Sequence, residues 1–245
     1  MIVELYIFSI FILSGFLQTV TGSGYAIITA PLLALVLETK ETVMLVMVTG
    51  LIIRLFLIRV IKKDGSFKAI FPLITASVIG AIPGAYMMTA ASSGELKVFI
   101  GVVLLFATFC LWKNVSIPIK HSKFAEAIVG ALSGFLATTT SINGPPVVMY
   151  YLNSKAEKDK KLFRANLTRY FFLINIASII ISYLTGTLKI TQLWFHTLLS
   201  IPALYIGFYL GEKFFYQVKA ETLRQWSLRM ILISSLLILW SVLKP

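Results

Sequence analysis

The sequence predicts an all-α polytopic membrane protein made of two inverted repeats, and three observations support this. Hydrophobic residues make up 58% of the 245 residues and charged residues only 13%, a balance typical of chains that cross a bilayer several times. Lys and Arg are concentrated in alternate connections between apolar stretches, as in multi-pass membrane proteins. An interrupted apolar segment occurs twice, in residues 15–33 and 134–153. We therefore expect about eight to ten membrane segments, with about five in each repeat.

The first repeat begins with two apolar segments that are separated by glycines. Residues 2–20 run into Gly22 and Gly24. Residues 25–37 are too short to cross about 30 Å of hydrocarbon comfortably at about 1.5 Å per residue. We expect these two segments to form a broken or re-entrant hairpin. Three full-length spans should follow, at residues 42–61, 68–90 and 95–113.

The second repeat follows the same plan after a polar linker. Residues 124–140 are apolar up to a Gly-Pro-Pro interruption, and residues 144–153 resume the apolar pattern before a charged loop at 154–164. These two segments should form the second hairpin. Three spans are then expected, at residues 165–184, 190–211 and 222–243. The predicted repeats therefore cover residues 1–114 and 122–245 of one membrane domain, without a separate soluble domain.

The fourth segment of each repeat carries two glycines four residues apart. They are Gly80 and Gly84 in the first repeat and Gly207 and Gly211 in the second. Small residues at this spacing allow the backbones of two membrane helices to approach closely. We therefore expect both segments to lie in close helix–helix interfaces. The recurrence at matching places supports the repeat.

Positive charge predicts the topology. Four connections hold 15 of the 22 Lys and Arg residues and should face the cytoplasm, because cytoplasmic loops of membrane proteins are rich in these residues. Residues 124–153 must then enter the membrane and return to the same side. This gives the two repeats opposite orientations and places both chain termini outside. The four basic connections are residues 59–68, 113–123, 154–164 and 212–224.

Several classes of function are disfavoured. The net charge of +12 does not indicate a nucleic-acid partner, because the basic residues lie in short loops between spans. His121 and His196 are far apart in sequence, and Cys110 lies in an apolar run, so we find no catalytic dyad, metal motif or disulfide pattern. We expect no enzyme activity, no metal and no cofactor. His196, beside Trp194 and Phe195, is interpreted as an interface residue.

The two interruptions predict a binding site within the membrane. Pro145 and Pro146 lack backbone N–H groups and suit the first turn of a new helix. Irregular backbone at membrane depth is tolerated only where it is buried in protein or lines a cavity, because an unpaired polar group in lipid is costly. Hydroxyl, amide and glycine residues around each interruption could contact a substrate there. The candidate substrate-binding residues are Thr19, Thr21, Gly22, Ser23, Gly24, Thr138, Thr140, Ser141, Asn143, Gly144 and Pro145.

The chemistry of these segments favours an anion. Nearly all of the ten Asp and Glu residues lie in loops or at span ends, and only Glu126 is a candidate for an embedded carboxylate. Helix N-termini, hydroxyls and amides suit an oxyanion, and backbone N–H groups near Gly24 and Gly144 could share one. Arg54 and Arg169 lie within spans and are further substrate-contact candidates. Each also fits an anchor that reaches the membrane surface.

At the two interruptions the chain resembles the TauE/SafE family of sulfite and sulfonate permeases, also called the four-toluene-sulfonate uptake permease family. The resemblance implies transport of small sulfur-containing or organic anions across a bacterial or archaeal plasma membrane. The family commonly has Gly-x-Gly-Gly at both interruptions, whereas this chain has Gly-Ser-Gly-Tyr and Ser-Ile-Asn-Gly, so Asn143 adds a side chain there. The residues that carry the resemblance are Gly22-Ser23-Gly24, Pro31-Leu32-Leu33, Gly134-Phe135-Leu136, the run from Asn143 to Leu152, and Phe163-Arg164-Ala165.

The predicted function is a secondary transporter of a small anion that works by alternating access around the two broken helices. Sulfite, a sulfonate or a related sulfur-containing or organic anion is the expected substrate. The alternatives are an anion channel, which would also use broken helices, and a non-transporting scaffold subunit. Besides the anion and the lipid bilayer, the sequence leaves three partners or states open: a coupled proton, a coupled sodium ion, and a homodimer. The direction of transport is open as well.

Overall fold

The computed structural model describes residues 2–61, 67–113, 123–151, 160–187 and 190–217. It also describes seven further residues, at positions 225, 229, 232, 233, 236, 239 and 240. The described residues form nine α-helices and no strand. The predicted first repeat contains α1 (Ile2–Thr21), α2 (Tyr25–Leu33), α3 (Thr39–Val60), α4 (Phe67–Ala90) and α5 (Ser93–Trp112). The second contains α6 (Lys123–Thr139), α7 (Gly144–Tyr151), α8 (Lys160–Leu184) and α9 (Ile190–Phe215). The predicted span at 222–243 lies outside the continuously described ranges.

Six helices are long and apolar enough to cross a membrane: α1, α3, α4, α5, α8 and α9. Helix α6 has 17 residues and reaches about 25 Å at about 1.5 Å per residue. Helices α2 and α7 have nine and eight residues and are too short to cross. The protein is therefore an all-helical, multi-pass integral membrane protein, and each predicted hairpin contains one long and one short helix. The opposite orientation of the two repeats stays a prediction.

The two longest extensions of a helix beyond its predicted bounds both involve charged residues. The sequence predicts a charged loop over 154–164, but α8 begins at Lys160. It also predicts a loop from residue 212, but α9 continues to Phe215. An ion pair between Arg164 and Glu212 joins these two helix extensions. Because each charge neutralises the other, both helices can continue past their apolar stretches.

The most extensive helix contacts in the described structure join helices of the two predicted repeats. Helix α1 packs most extensively against α9, and α4 against α6, so the first helix of each repeat lies on the fourth helix of the other. The glycine pairs lie in these interfaces, as predicted. A Cβ atom on Gly84 would lie 2.5 Å from the carbonyl oxygen of Phe135, and one on Gly207 would lie 2.8 Å from the backbone nitrogen of Phe16. A larger residue at either position would push the helices apart.

Helices α3 and α8 connect the two halves, since they pack against each other while α3 also contacts α9 and α8 contacts α4. The two short helices are almost wholly buried: Leu32 in α2 and Val148 in α7 are the partly exposed exceptions. One apolar cluster draws mainly on α1, α2, α3, α5 and α9, and a second on α4, α6, α7 and α8. The irregular backbone of each break is therefore surrounded by protein rather than by lipid.

Candidate functional site

The first break is a tight turn held by the last residue of α1. Gly22 has a φ of +79°, in the left-handed region that L side chains rarely adopt. The Thr21 hydroxyl donates to the carbonyl oxygen of Leu17 at 2.7 Å and accepts the backbone N–H of Gly24 at 3.1 Å. One threonine therefore bonds back into α1 and also holds the residue before α2.

A buried glutamine completes this turn. Gln18 is fully buried; its Nε2 donates to the carbonyl oxygen of Gly22 at 2.9 Å, and its Oε1 accepts the N–H of Tyr25 at 3.1 Å. Both ends of the side-chain amide thus satisfy backbone groups at the ends of two helices. Sequence reasoning missed Gln18. Its signal is an isolated amide in an apolar helix, one turn before a glycine.

The second break repeats the turn with different residues. Ser141 has a φ of +59°, which is uncommon for a residue with a side chain. Thr140 donates to the carbonyl oxygen of Leu136 at 2.9 Å and accepts the N–H of Ile142 at 3.1 Å, the same pattern as at the first break. The Ser141 hydroxyl donates to the carbonyl oxygen of Val43 on α3 at 2.7 Å. The second break is therefore also tied to α3.

Asn143 differs from the other polar residues of the breaks, because its side chain has a free donor. Its backbone carbonyl accepts the Ser133 hydroxyl at 2.8 Å. The residue is 2% exposed, yet its Nδ2 has no hydrogen-bond partner among the residues that the structure describes. A buried unsatisfied donor costs about 1–3 kcal/mol. Such a group at a helix break is a candidate ligand contact.

The two breaks meet at Gly144, the first residue of α7. A Cβ atom at this position would lie 3.4 Å from the carbonyl oxygen of Ser23 in the first break and 3.8 Å from Cζ of Phe171 on α8. Pro145 and Pro146 occupy the first turn of α7, as predicted, where a missing N–H leaves no gap in the helix. The structure thus brings candidate residues of both breaks together inside the protein.

Arg54 on α3 lies next to the same aromatic ring. Its Cζ is 5.1 Å from the centroid of the Phe171 ring, and its Nη1 donates to the carbonyl oxygen of Gly50 at 2.7 Å. Arg54 is 3% exposed, and its Nε has no hydrogen-bond partner in the described part of the chain. Within that part, the ion pairs do not include Arg54. It is therefore a buried cation held by a backbone carbonyl and an aromatic face.

Gly50 makes room for this arginine and for an amide from α8. A Cβ atom on Gly50 would lie 2.7 Å from Nη1 of Arg54 and 2.9 Å from Nδ2 of Asn175. It would also lie 3.4 Å from the ring of Tyr25, the first residue of α2. The Tyr25 hydroxyl donates to Oγ1 of Thr49 at 2.5 Å. Helices α2, α3 and α8 therefore come together at Gly50.

Two of the predicted site threonines have their described contacts in helix interfaces. Thr19 donates to the carbonyl oxygen of Gly15 at 2.8 Å, and its side chain packs against Gly211 of α9. Thr138 donates to the carbonyl oxygen of Ala81 on α4 at 2.9 Å. The contacts of these two hydroxyls are with helix backbone, so the structure gives both residues a role in the α1–α9 and α4–α6 packing.

Two contacts of Arg169 lie at the end of α3 and at the start of α4. Its Nη2 donates to the carbonyl oxygen of Ile61 at 3.2 Å, and its guanidinium lies 5.3 Å from the centroid of the Phe67 ring. The carbonyl end of a helix favours a cation. Ile61 lies seven residues beyond Arg54, which corresponds to about 10 Å along a helix. The two arginines therefore contact α3 at different heights.

Arg164 is a buried residue at the first break that sequence reasoning did not include in the site. Its Nη1 donates to the carbonyl oxygen of Thr19 at 3.1 Å and pairs with Glu212. Its guanidinium lies 3.7 Å from the centroid of the Phe215 ring, and a Cβ atom on Gly22 would lie 3.2 Å from its Cα. Arg164 therefore joins α8, α9 and the first break.

Two further titratable residues considered from the sequence, Glu126 and His196, have partners of their own. Glu126 accepts the Tyr150 hydroxyl at 2.9 Å, and Nδ1 of His196 lies 3.6 Å from a carboxylate oxygen of Glu41. Among the described residues, no three His, Cys, Asp or Glu side chains form a group that could hold a metal ion. The free groups at Arg54 and Asn143 are hydrogen-bond donors, which suit the oxygen atoms of an anion.

Comparison with known proteins yields one family. A family model described as Sulfite exporter TauE/SafE matches residues 7–238, nearly the whole chain. No curated protein and no solved structure matches the chain. The matched range includes both breaks and the helices around them.

Proposed function

The chain belongs to the sulfite exporter TauE/SafE family, a family of membrane transporters of sulfur-containing anions, and from this we propose that it is a secondary transporter of a small anion. The proposed substrate is sulfite, a sulfonate or a related sulfur-containing or organic anion. We assign its binding site to the place where the two breaks meet, with Arg54, Asn143 and Gly144 at the centre.

The observation that carries this proposal is the uncompensated charge of Arg54. An isolated charge in a low-dielectric interior is costly, so buried charges are normally paired. Arg54 is buried, and its described partners are a backbone carbonyl and an aromatic ring. A bound anion would supply the missing countercharge. The free Nε of Arg54 and the free Nδ2 of Asn143 would donate to its oxygen atoms.

The broken helices support transport rather than static binding. In transporters with repeated halves, the substrate site lies between discontinuous helices, and relative motion of the halves exposes it to one side at a time. Here the starts of α2 and α7 approach each other through Ser23 and Gly144. We propose that movement of one short helix away from the other opens the site alternately to the two faces of the membrane.

Uptake by the purified protein in lipid vesicles tests the proposal. Wild-type protein should take up labelled sulfite or a labelled short sulfonate with saturable kinetics. Arg54→Gln should lower the uptake rate at limiting substrate about 10- to 100-fold. The reason is that a hydrogen bond to a charged group contributes about 1.5–3 kcal/mol, and each 1.4 kcal/mol corresponds to about tenfold. Arg229→Gln, at an exposed arginine, is the matched control and should transport normally.

Two results would contradict the proposal in different ways. Uptake by a well-folded Arg54→Gln variant at the wild-type rate would remove Arg54 from the site. Anion currents with discrete single openings, in place of saturable slow flux, would indicate a channel.

A further inference from the structure

The buried arginines around the breaks differ in how their charge is compensated. Arg164 is paired with the carboxylate of Glu212. Arg169 binds the carbonyl oxygen of Ile61 at the end of α3. Arg54 is equally buried, but within the described residues it has no carboxylate partner. Within the described part of the chain, the positive charge of Arg54 is therefore not neutralised by an acidic residue.

The side chains packed around Arg54 do not change this balance, because they are neutral. Phe171 presents its ring face, Tyr25 has its hydroxyl hydrogen-bonded to Thr49, and Asn175 contributes an amide. The described groups at this position therefore carry a net charge of one positive unit, that of the Arg54 guanidinium.

We propose that the site accepts a single negative charge and therefore selects monovalent oxyanions over divalent ones. This inference rests on the proposed function and narrows its substrate class. A monovalent anion would neutralise Arg54. A divalent anion would leave one negative charge uncompensated in a low-dielectric interior, where charge is costly. Sulfonates and hydrogensulfite belong to the favoured class, whereas sulfate, thiosulfate and fully ionised sulfite belong to the disfavoured class.

The surroundings of the free donors also fit a ligand with one oxygen-rich end and one apolar end. Nε of Arg54 and Nδ2 of Asn143 can donate to sulfonate oxygens. The ring of Phe171 is 5.1 Å from Cζ of Arg54 and also lies close to the Gly144 backbone. An alkyl substituent could pack on this ring, whereas a second charged oxygen could not be satisfied by it.

A matched pair of anions tests the charge selection directly. Methanesulfonate and sulfate have nearly the same tetrahedral shape and differ in a methyl group against a charged oxygen. Each would be titrated into the purified full-length protein in detergent, and binding would be followed by thermal stabilisation and calorimetry. Methanesulfonate should bind at least about tenfold more tightly than sulfate. Equal or tighter binding of sulfate would overturn the inference and leave the anion site itself intact.

Two variants separate charge selection from anion binding as such. Arg54→Lys keeps the charge and should keep the preference for methanesulfonate, with weaker binding of both anions. Arg54→Gln should lose the preference and should bind neutral dimethyl sulfone at least as well as methanesulfonate. Retention of the tenfold preference in a folded Arg54→Gln protein would overturn the inference. If wild-type protein bound none of these anions and transported none, the proposed function itself would fail.

Discussion

The two breaks share one turn but use their polar groups differently. In both, a threonine hydroxyl donates a hydrogen bond to a carbonyl oxygen of the preceding helix. The same hydroxyl accepts a backbone N–H two or three residues later, past a residue with positive φ. At the first break, Gln18 engages both ends of its amide with backbone groups. At the second, Asn143 is equally buried, but its Nδ2 has no partner among the described residues. The buried amide of the first break is therefore used within the protein, while the amide of the second has a donor available for the ligand that we propose.

This difference shows that a repeated sequence pattern predicts repeated backbone geometry more reliably than repeated chemistry. The threonine turn depends on residues within the break itself. The chemistry depends on single side chains, such as Gln18 and Asn143, that occur in one copy only. We therefore propose that Gln18 and Thr21 mainly hold the turn of the first break, whereas Asn143 of the second break contacts the ligand. Three sets of substitutions can break or sharpen this comparison.

The largest effect is expected where the two breaks touch. Gly144→Leu would place a branched side chain where a Cβ atom would already contact Ser23 and Phe171. Since a shift of about 1 Å in a functional site can cost about a hundredfold in rate, we expect vesicle uptake to fall by at least that factor while the protein still inserts. Gly94→Leu is the control, because a Cβ atom there meets open space. Normal uptake by Gly144→Leu would show that the contact is dispensable.

Effects of intermediate size are expected at the two buried amides. Substitution of Gln18 should mainly lower stability, and substitution of Asn143 should mainly lower uptake. Gln18→Ala leaves two buried backbone groups unsatisfied. We therefore expect the free energy of unfolding, measured by thermal unfolding, to fall by about 1–3 kcal/mol or more. Asn143→Ala removes a donor that has no partner in the described structure, so its unfolding temperature should change little. Its uptake at limiting substrate should fall about tenfold or more, since a hydrogen bond to a charged group contributes about 1.5–3 kcal/mol. The same loss of stability in both variants, with normal uptake by Asn143→Ala, would contradict the contrast.

The smallest effects are expected at the threonines in the helix interfaces. Thr19→Val removes a hydroxyl that bonds within its own helix, and Thr138→Val removes a bond to Ala81. Side-chain hydrogen bonds between membrane helices contribute about 0.6 kcal/mol on average. We therefore expect Thr138→Val to lower the free energy of unfolding by about that amount and Thr19→Val to lower it by almost nothing. The KM of uptake should stay within about twofold of wild type for both. A tenfold higher KM in either variant would indicate that its hydroxyl contacts the substrate after all.

The features of the fold that depend on local composition could be predicted from the sequence. Long apolar stretches mark the spans, and Pro145 marks the start of α7. The glycine pairs mark two close helix interfaces. The turns of both breaks follow from glycine, serine and threonine at the ends of apolar helices. These features need little information about distant residues, because propensity and burial in lipid already determine them.

The features that could not be predicted depend on residues far apart in the chain. Arg164 is 48 residues from Glu212 and 145 from Thr19, its two hydrogen-bond partners. The charged residues around Arg164 indicate a solvated loop by composition. The pairing with Glu212 that allows Arg164 to be buried cannot be recognised from a single sequence. For the same reason the sequence could not show how the two arginines differ. Arg169 binds a carbonyl oxygen at the end of α3, whereas Arg54 has no carboxylate partner among the described residues.

The exchanged pairing of α1 with α9 and of α4 with α6 has an evolutionary consequence. Each interface depends on glycines that would be exposed if its partner helix were absent. A single repeat would therefore lack the surface that covers its first and fourth helices. We expect an ancestral half-length chain of this kind to have been stable only as a pair of copies. Likewise, the chain cut in the linker at residues 114–122 should yield two fragments that assemble when co-expressed and fail when expressed singly.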